Sequence, residues 1–329
     1  MKIAIIYNLN EHNAWYEADF DIPETIDAIS NALGGLWEIS LLQVTRDNYP
    51  TTISQLLKEW FDIVFNLTEG YPGESRESVW PILLEQFQIQ YTGPWPKNLS
   101  LTLDKQLTKD VLYRKFSSLI IKDFKISPCD NIDSILVETI LEKLKFPLFI
   151  KFNAEWSSLW IDSKSIVSNG NKLMEKIKEL RRQFQFADIL VEEFFDGIDL
   201  SVTYIEWLWV FWPVRYVYNN ESNIYNYEMK IFDYNEAVDV QSFSDNYSEE
   251  VKNISENIVK YLWLEGYARI EFRISGNELR LIEINNQVCF LPEGAFVQAV
   301  SMSTGMTFKE IVWHILSYRL QNPIIYPLI

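Results

Sequence analysis

The sequence predicts an α/β fold for its first third and an α+β fold for the remainder. Three observations lead there. Up to about residue 93, short apolar runs alternate with amphipathic segments, which implies a parallel sheet with right-handed crossovers. Beyond that point strands come in runs not singly interleaved with helices. The chain has 329 residues, 48% hydrophobic and 23% charged. That composition buries a sizeable core, and at ~150 residues per domain the length allows two domains or three compact lobes.

The elements follow in order. Residues 2–7 form a short apolar run that suits a buried strand. Pro23 opens an amphipathic stretch to Leu33, with Ile26, Ile29 and Leu33 on one face; Gly34-Gly35 closes it. Residues 37–44 and 62–67 read as strands, and 52–61 and 79–87 as helices. Farther on, 102–113, 135–144, 172–184, 248–263 and 307–320 read as helices, and 148–152, 189–194 and 199–210 as strands. Residues 267–274 and 278–285 form a hairpin around Ser275-Gly276-Asn277.

Composition excludes several function classes. The 46 acidic against 29 basic residues leave a net charge of −17, which repels nucleic acid and anionic membranes but not a small nucleotide met by a few local cations. Two cysteines and two histidines exclude a disulfide framework and a His-rich metal site. No run reaches ~18 apolar residues, so a cytoplasmic protein is expected. Residues 8–20 contain no glycine, so the dinucleotide fingerprint G-x-G-x-x-G is absent. Cys289, in an apolar stretch, reads as packing, as do the tryptophans, Trp207, Trp209 and Trp212 included, except Trp156 and Trp160, which are expected near a ligand.

Some residue pairs carry chemistry. Strand alternation puts Arg269 and Glu271 on one face of the hairpin, and Glu283 and Asn285 likewise. Two carboxylates and an amide oxygen suit hard cations such as Mg²⁺. Spacing alone favours a plainer reading, a solvated face with cross-strand charge pairs. Lys105 and Lys151, the latter ending an apolar run, are placed to meet an anion or to snorkel. Glu192 follows another apolar run; it suits adenine or ribose, or an edge-strand charge.

In order and context, DIVFNLTEGYPGESRESVWPILLEQFQIQYTG at 62–93, LDKQLTK at 103–109, FIK at 149–151, VEEF at 191–194, ARIEF at 268–272 and LIEIN at 281–285 resemble the D-alanine–D-alanine ligase-like ATP-grasp family of carboxylate–amine ligases. The resemblance spans nearly the whole chain. It implies a three-lobed ATP-grasp architecture: an N-terminal parallel-sheet (pre-ATP-grasp) lobe at 1–100, a small central lobe at 101–188 and a C-terminal lobe at 189–329. It implies ATP between the last two lobes, with two Mg²⁺ ions for which Mn²⁺ can substitute, and a homodimer acting on small carboxylate and amine substrates. Position by position, it implies that Lys105 and Lys151 contact phosphates, that Glu155 and Ser157 belong to the loop covering them, and that Glu192 holds the adenine. Asp199 takes the place of a ribose-binding glutamate. Glu271, Glu283 and Asn285 would hold Mg²⁺, Arg269 would stabilise the tetrahedral transition state, and Lys230 would lie in the loop that closes over the phosphates. The implied reaction joins an acid to an amine through an acyl phosphate, with release of ADP.

The sequence departs from the family at the substrate end. The phosphate loop reads Glu155-Trp156-Ser157-Ser158-Leu159-Trp160, with tryptophan at both glycine positions. Gly294 stands where the family carries a substrate-binding serine, and Ile231 where it carries a tyrosine. Asp21 stands nearest the usual N-terminal Glu-Val-Ser segment. These departures predict a product other than D-Ala–D-Ala. The alternative is a degenerate ATP-grasp protein that binds nucleotide or a partner without turnover.

Overall fold

The first sheet forms where the alternation predicted it. In a computed structural model, which describes residues 1–35, 37–154, 161–218, 238–243 and 246–326, strands β1 (Lys2–Tyr7), β2 (Glu38–Gln43) and β3 (Ile63–Leu67) pair in the order β2-β1-β3, all parallel. Helices α1 (Pro23–Leu33) and α2 (Tyr49–Glu59) make the two crossovers, and α3 (Val79–Gln86) follows β3. β1 is central, with Ile3 to Ile6 fully buried. The strand order reverses between β1 and β3, so a crevice opens outside their carboxyl ends, where α/β sheets bind ligands. Asn8 fastens that crevice: its Oδ1 accepts from the Glu69 and Gly70 amides, both at 3.0 Å.

The predicted helix 102–113 is two helices, α4 (Pro96–Leu103) and α5 (Lys105–Phe116). Asp104 separates them. It is extended, and its side chain accepts from the Leu107 amide at 2.8 Å, so it caps α5 instead of continuing α4. The next sheet is antiparallel, in the order β4-β7-β5-β6, from β4 (Asp123–Ile126), β5 (Leu148–Phe152), β6 (Ile166–Val167) and β7 (Ile189–Glu193). Helices α6 (Ser134–Lys143) and α7 (Gly170–Gln183) cover it through Val137, Ile140, Leu173, Ile177 and Leu180.

The largest sheet runs β11-β10-β8-β12-β13, from β8 (Ile198–Ile205), β10 (Val214–Tyr218), β11 (Val238–Ser242), β12 (Tyr267–Ser275) and β13 (Glu278–Asn285). The predicted strand 199–210 breaks into a hairpin. β8 stops at Ile205, Trp209 takes a positive φ of 72°, and β9 (Trp209–Val210) turns back onto Tyr204 and Ile205. This turn also corrects the packing expectation for its tryptophans. Trp207, Trp209 and Trp212 are 64%, 37% and 48% exposed; Trp207 stacks on Tyr318, and Lys260 and Lys252 lie over the other two rings. Helix α8 (Ser248–Leu262) packs Val251, Ile258 and Leu262 against Val202, Ile270 and Phe272. Two further helices, α9 (Ala295–Thr304) and α10 (Phe308–Gln321), follow the hairpin. α10 shares the core of the first sheet, where Ile311, Val312 and Ile315 meet Ile26, Ile29 and Leu33. The segment after α10 returns to that sheet: Gln90 exchanges hydrogen bonds with the Ile324 backbone at 2.9 and 2.7 Å, and Tyr326 donates to the Ile89 carbonyl at 2.8 Å.

Gly266, just before β12, sits at φ 71°, and a Cβ there would lie 2.5 Å from the Gly93 carbonyl carbon. The first and third sheets approach through this backbone contact. Gly266→Ala is expected to cost about 2–4 kcal/mol, from left-handed strain plus displaced backbone, read as a lowered midpoint in thermal or urea unfolding.

Candidate functional site

The β12–β13 hairpin assembles the acidic half of the site. Register sets Arg269 opposite Asn285 and Glu271 opposite Glu283, with a bulge just after Glu271. Arg269 Nη1 lies 3.3 Å from Glu271 Oε1, and Asn285 Nδ2 donates to Glu283 Oε1 at 3.4 Å. Neighbouring strands complete the first pair: Ser201 of β8 donates to Glu271 at 3.1 Å, and Arg269 donates to the Tyr216 hydroxyl of β10 at 3.1 Å. Burial pushes the Glu271 carboxyl up to about 7; Arg269 opposes this and Glu283 adds to it. Burial also works against ionised Glu283, but Lys105 and Lys151 outweigh it and hold that carboxyl below its usual value.

The cationic half comes from other elements. Lys105, the first residue of α5, places Nζ 3.5 Å from Glu283 Oε2. The Asp104 cap aims it, and so does Asn153, just past β5, which takes the Lys105 amide on its carbonyl at 3.2 Å and the Gln106 amide on its side chain at 2.9 Å. Lys151 of β5 holds Glu192 of β7 at 2.9 Å. Burial pushes the Lys151 ammonium well below the lysine range, and Lys109 adds to the shift. Of the five groups expected to converge, Glu271, Glu283, Asn285 and Lys105 are joined by register or contact, while Lys151 pairs with Glu192 and reaches Glu283 only electrostatically. Asp199, at the start of β8, pairs with Arg273 at 2.9 Å, and Arg273 also donates to the Phe195 carbonyl just past β7. Glu155, Trp156, Ser157, Trp160, Lys230 and Ile231 lie outside the described residues.

Oxygen donors from two carboxylates and one amide form a hard set suited to Mg²⁺. The residues present fit such an ion: Asn285 Oδ1 is buried without a hydrogen-bond partner among the described residues, and an unsatisfied buried acceptor is costly unless a donor or cation meets it. Among the described residues, no group of three or more His, Cys, Asp or Glu offers a competing centre.

Sequence reasoning missed two features. Lys109 lies one turn after Lys105, buried, and pairs with both Asp123 (3.4 Å) and Glu192; burial pushes it down to about 8. Its signal was present as the second lysine of LDKQLTK, four residues on. The other feature has no local signal. Asp21 and Glu69, far apart in sequence, meet at the switch-point crevice, where the Asp21 backbone pairs with Asn8 and Asn10. The Tyr267 hydroxyl is buried there without a hydrogen-bond partner among the described residues. Burial, with Glu69 and Asp21 nearby, holds its proton more tightly than usual. Burial also raises Glu69 well above the usual carboxyl range, with Glu77, Asp19 and Asp21 adding and Arg76 opposing. Arg76 links this crevice to the chain just past β5, donating to the Ala154 carbonyl at 2.8 Å and pairing with Asp19 at 3.3 Å. Cys289, expected to be buried packing, is exposed: the residues packed into the core are its neighbours Val288 and Phe290.

A parallel-sheet lobe beside two antiparallel sheets, with buried lysines set against carboxylates of both, defines an ATP-grasp ligase. The comparisons agree. The family model for the D-ala D-ala ligase C-terminus matches residues 114–317. A D-alanine–D-alanine ligase of Buchnera aphidicola is 30% identical over 278 residues, covering 83% of this chain and 85% of that protein. The solved D-alanine–D-alanine ligase from Bacillus anthracis shares the fold with a TM-score of 0.75, at 14% identity over 98% of both chains. The VanG D-Ala:D-Ser ligase from Enterococcus faecalis gives 0.74, at 15% identity over 96% and 98%. The chain belongs to the D-alanine–D-alanine ligase family. It is an ADP-forming ligase that makes C–N bonds with ATP and Mg²⁺. Among the described residues, no helix is long and apolar enough to cross a membrane.

Burial pushes the Asp21 carboxyl from 3.8 up to about 8. The folded chain thus keeps a proton that the unfolded chain gives up near pH 4. This group favours the fold at acid pH, and its contribution is lost as pH rises through about 8. Asp21→Asn is expected to raise the unfolding midpoint at about pH 8.5, and the gain should shrink at about pH 5. Thermal unfolding at both pH values checks this.

Proposed function

We propose that this ligase activates an amino-acid-like carboxylate as an acyl phosphate and couples it to an amine, on substrates other than a pair of D-alanines, in the cytoplasm. The observation that carries the reading is the convergence of Arg269, Glu271, Glu283 and Asn285 with Lys105, and of Lys151 with Glu192. The proposed lobes are 1–100, 101–188 and 189–329, although β7 (Ile189–Glu193) pairs with β4 and β5 and so goes with the four-stranded sheet. Lys105 and Lys151 would meet the phosphates of ATP and offset charge as the γ-phosphoryl group passes to the substrate carboxylate. Glu192 would face the adenine and Asp199 the ribose. Glu271, Glu283 and Asn285 would hold Mg²⁺, which supplies charge neutralisation at the phosphates when bound. Arg269, steadied by Tyr216 and Glu271, would stabilise the oxyanion that forms as the amine adds to the acyl carbon. Glu155, Ser157 and Lys230 would close the site against water.

One feature supports substrates other than paired D-alanines. Gly294 caps the start of α9, and a Cβ there would lie 2.9 Å from the Leu291 carbonyl. The position therefore has little room for the serine that the family uses on the substrate carboxylate. Asp21 and Glu69, which burial holds protonated, would ionise only as an ammonium group entered the switch-point crevice, and D-alanine shares that group with other amino acids. The tryptophans at 156 and 160 favour the second reading, nucleotide binding without turnover.

Coupled ADP-release assays with Mg²⁺ across acid and amine panels test the reading. Turnover is expected with at least one pair and slower turnover with D-alanine alone. A rate for D-alanine equal to the best pair would sink the substrate claim, and ATP binding without any turnover would favour the second reading. Arg269→Ala is expected to lower kcat by ~10²–10³ with a smaller change in KM for ATP.

A further inference from the structure

Lys109 is a buried lysine that the roles above leave without a task. It is 2% exposed on α5 and shares the helix face of Lys105. Its ammonium touches Glu192 Oε1 and lies 3.4 Å from Asp123 Oδ2. The other Glu192 oxygen holds Lys151 at 2.9 Å. Glu192 is thus clamped between two lysines, of which one is assigned to a phosphate. Register sets Asp123 on β4 directly opposite Glu192 on β7. Two like charges in that relation repel unless a cation stands between them, and Lys109 stands there. Gln106 steadies the second carboxylate, donating to Asp123 Oδ1 at 3.4 Å.

The charges in this cluster balance, Lys109 and Lys151 against Asp123 and Glu192. When Lys151 turns to a phosphate, Glu192 loses one of its two cations. A buried carboxylate stripped of its only partner is strongly disfavoured, so without Lys109 the carboxylate would retain Lys151. We propose that Lys109 is a positioning residue for nucleotide binding: it keeps Glu192 paired and in place, and so releases Lys151 to the triphosphate. This rests on the function proposed above, in which Lys151 meets phosphate and Glu192 faces adenine.

The test is calorimetric binding of ATP with Mg²⁺, and separately of adenosine, to the full chain without acid or amine. Lys109→Gln is expected to weaken ATP binding by ~10-fold or more while adenosine changes by less than about threefold, because Glu192 then keeps Lys151 from the phosphates. Lys109→Arg should restore most of the loss. The double variant K109Q/E192Q, which removes both charges, should bind ATP more tightly than K109Q. The idea is overturned if K109Q binds ATP within about twofold of the unaltered chain, if both ligands weaken equally, or if the double variant shows no recovery. Should K109Q fail to fold, K109R and the double variant carry the comparison. An unaltered chain that binds no ATP would sink the proposed function and this inference together; normal ATP binding by K109Q would sink this inference alone.

Discussion

Burying ammonium groups requires burying their counter-charges, and the site is organised around that constraint. Lys105, Lys109 and Lys151 are each under a tenth exposed. No lysine stays charged at that depth without a carboxylate within reach. The partners come from two sheets: Glu283 from the largest, Glu192 and Asp123 from the four-stranded one. α5 lies between them, and its position follows from one residue. Asp104 stops α4 and opens α5, which turns the first lysine toward one sheet and the next toward the other.

The same constraint explains the perturbed carboxylates. Glu271 and Glu283 face each other across one hairpin, yet burial leaves the first reluctant to ionise while lysines keep the second charged. Two carboxylates whose environments push them apart can share one divalent ion without both charges standing uncompensated beforehand. Arg269 contributes to both balances.

Much of this was visible in the sequence. The first sheet announced itself through apolar periodicity and through Pro23 and Gly34-Gly35. The hairpin did so through alternation and its Ser-Gly-Asn turn, and alternation also put Arg269 with Glu271 and Glu283 with Asn285. What stayed hidden depends on tertiary pairing. Asp104 sits in a stretch whose propensity is helical throughout, and only its capping hydrogen bond reveals a break. The 199–210 stretch is apolar enough for one strand, and only a tryptophan at positive φ reverses it. β4 is short and only partly buried, so it lacks a period to read. Asp21, Glu69 and Tyr267 come from separate elements, and no local pattern brings them together. Lys109 was in view within a quoted motif, but its partners were not.

The return of residues 324 and 326 to the first sheet has a mechanical consequence. Gln90 and the Ile324 backbone hold each other from both sides, and α10 shares a core with α1. The outer two sheets are therefore stitched into one body at their rear. If lysines and carboxylates were to part without tearing that seam, the four-stranded sheet, which takes no part in it, would be the piece to move, about the junctions at Asp104 and just past β7. Substrate exchange would then be governed by the stiffness of those two junctions.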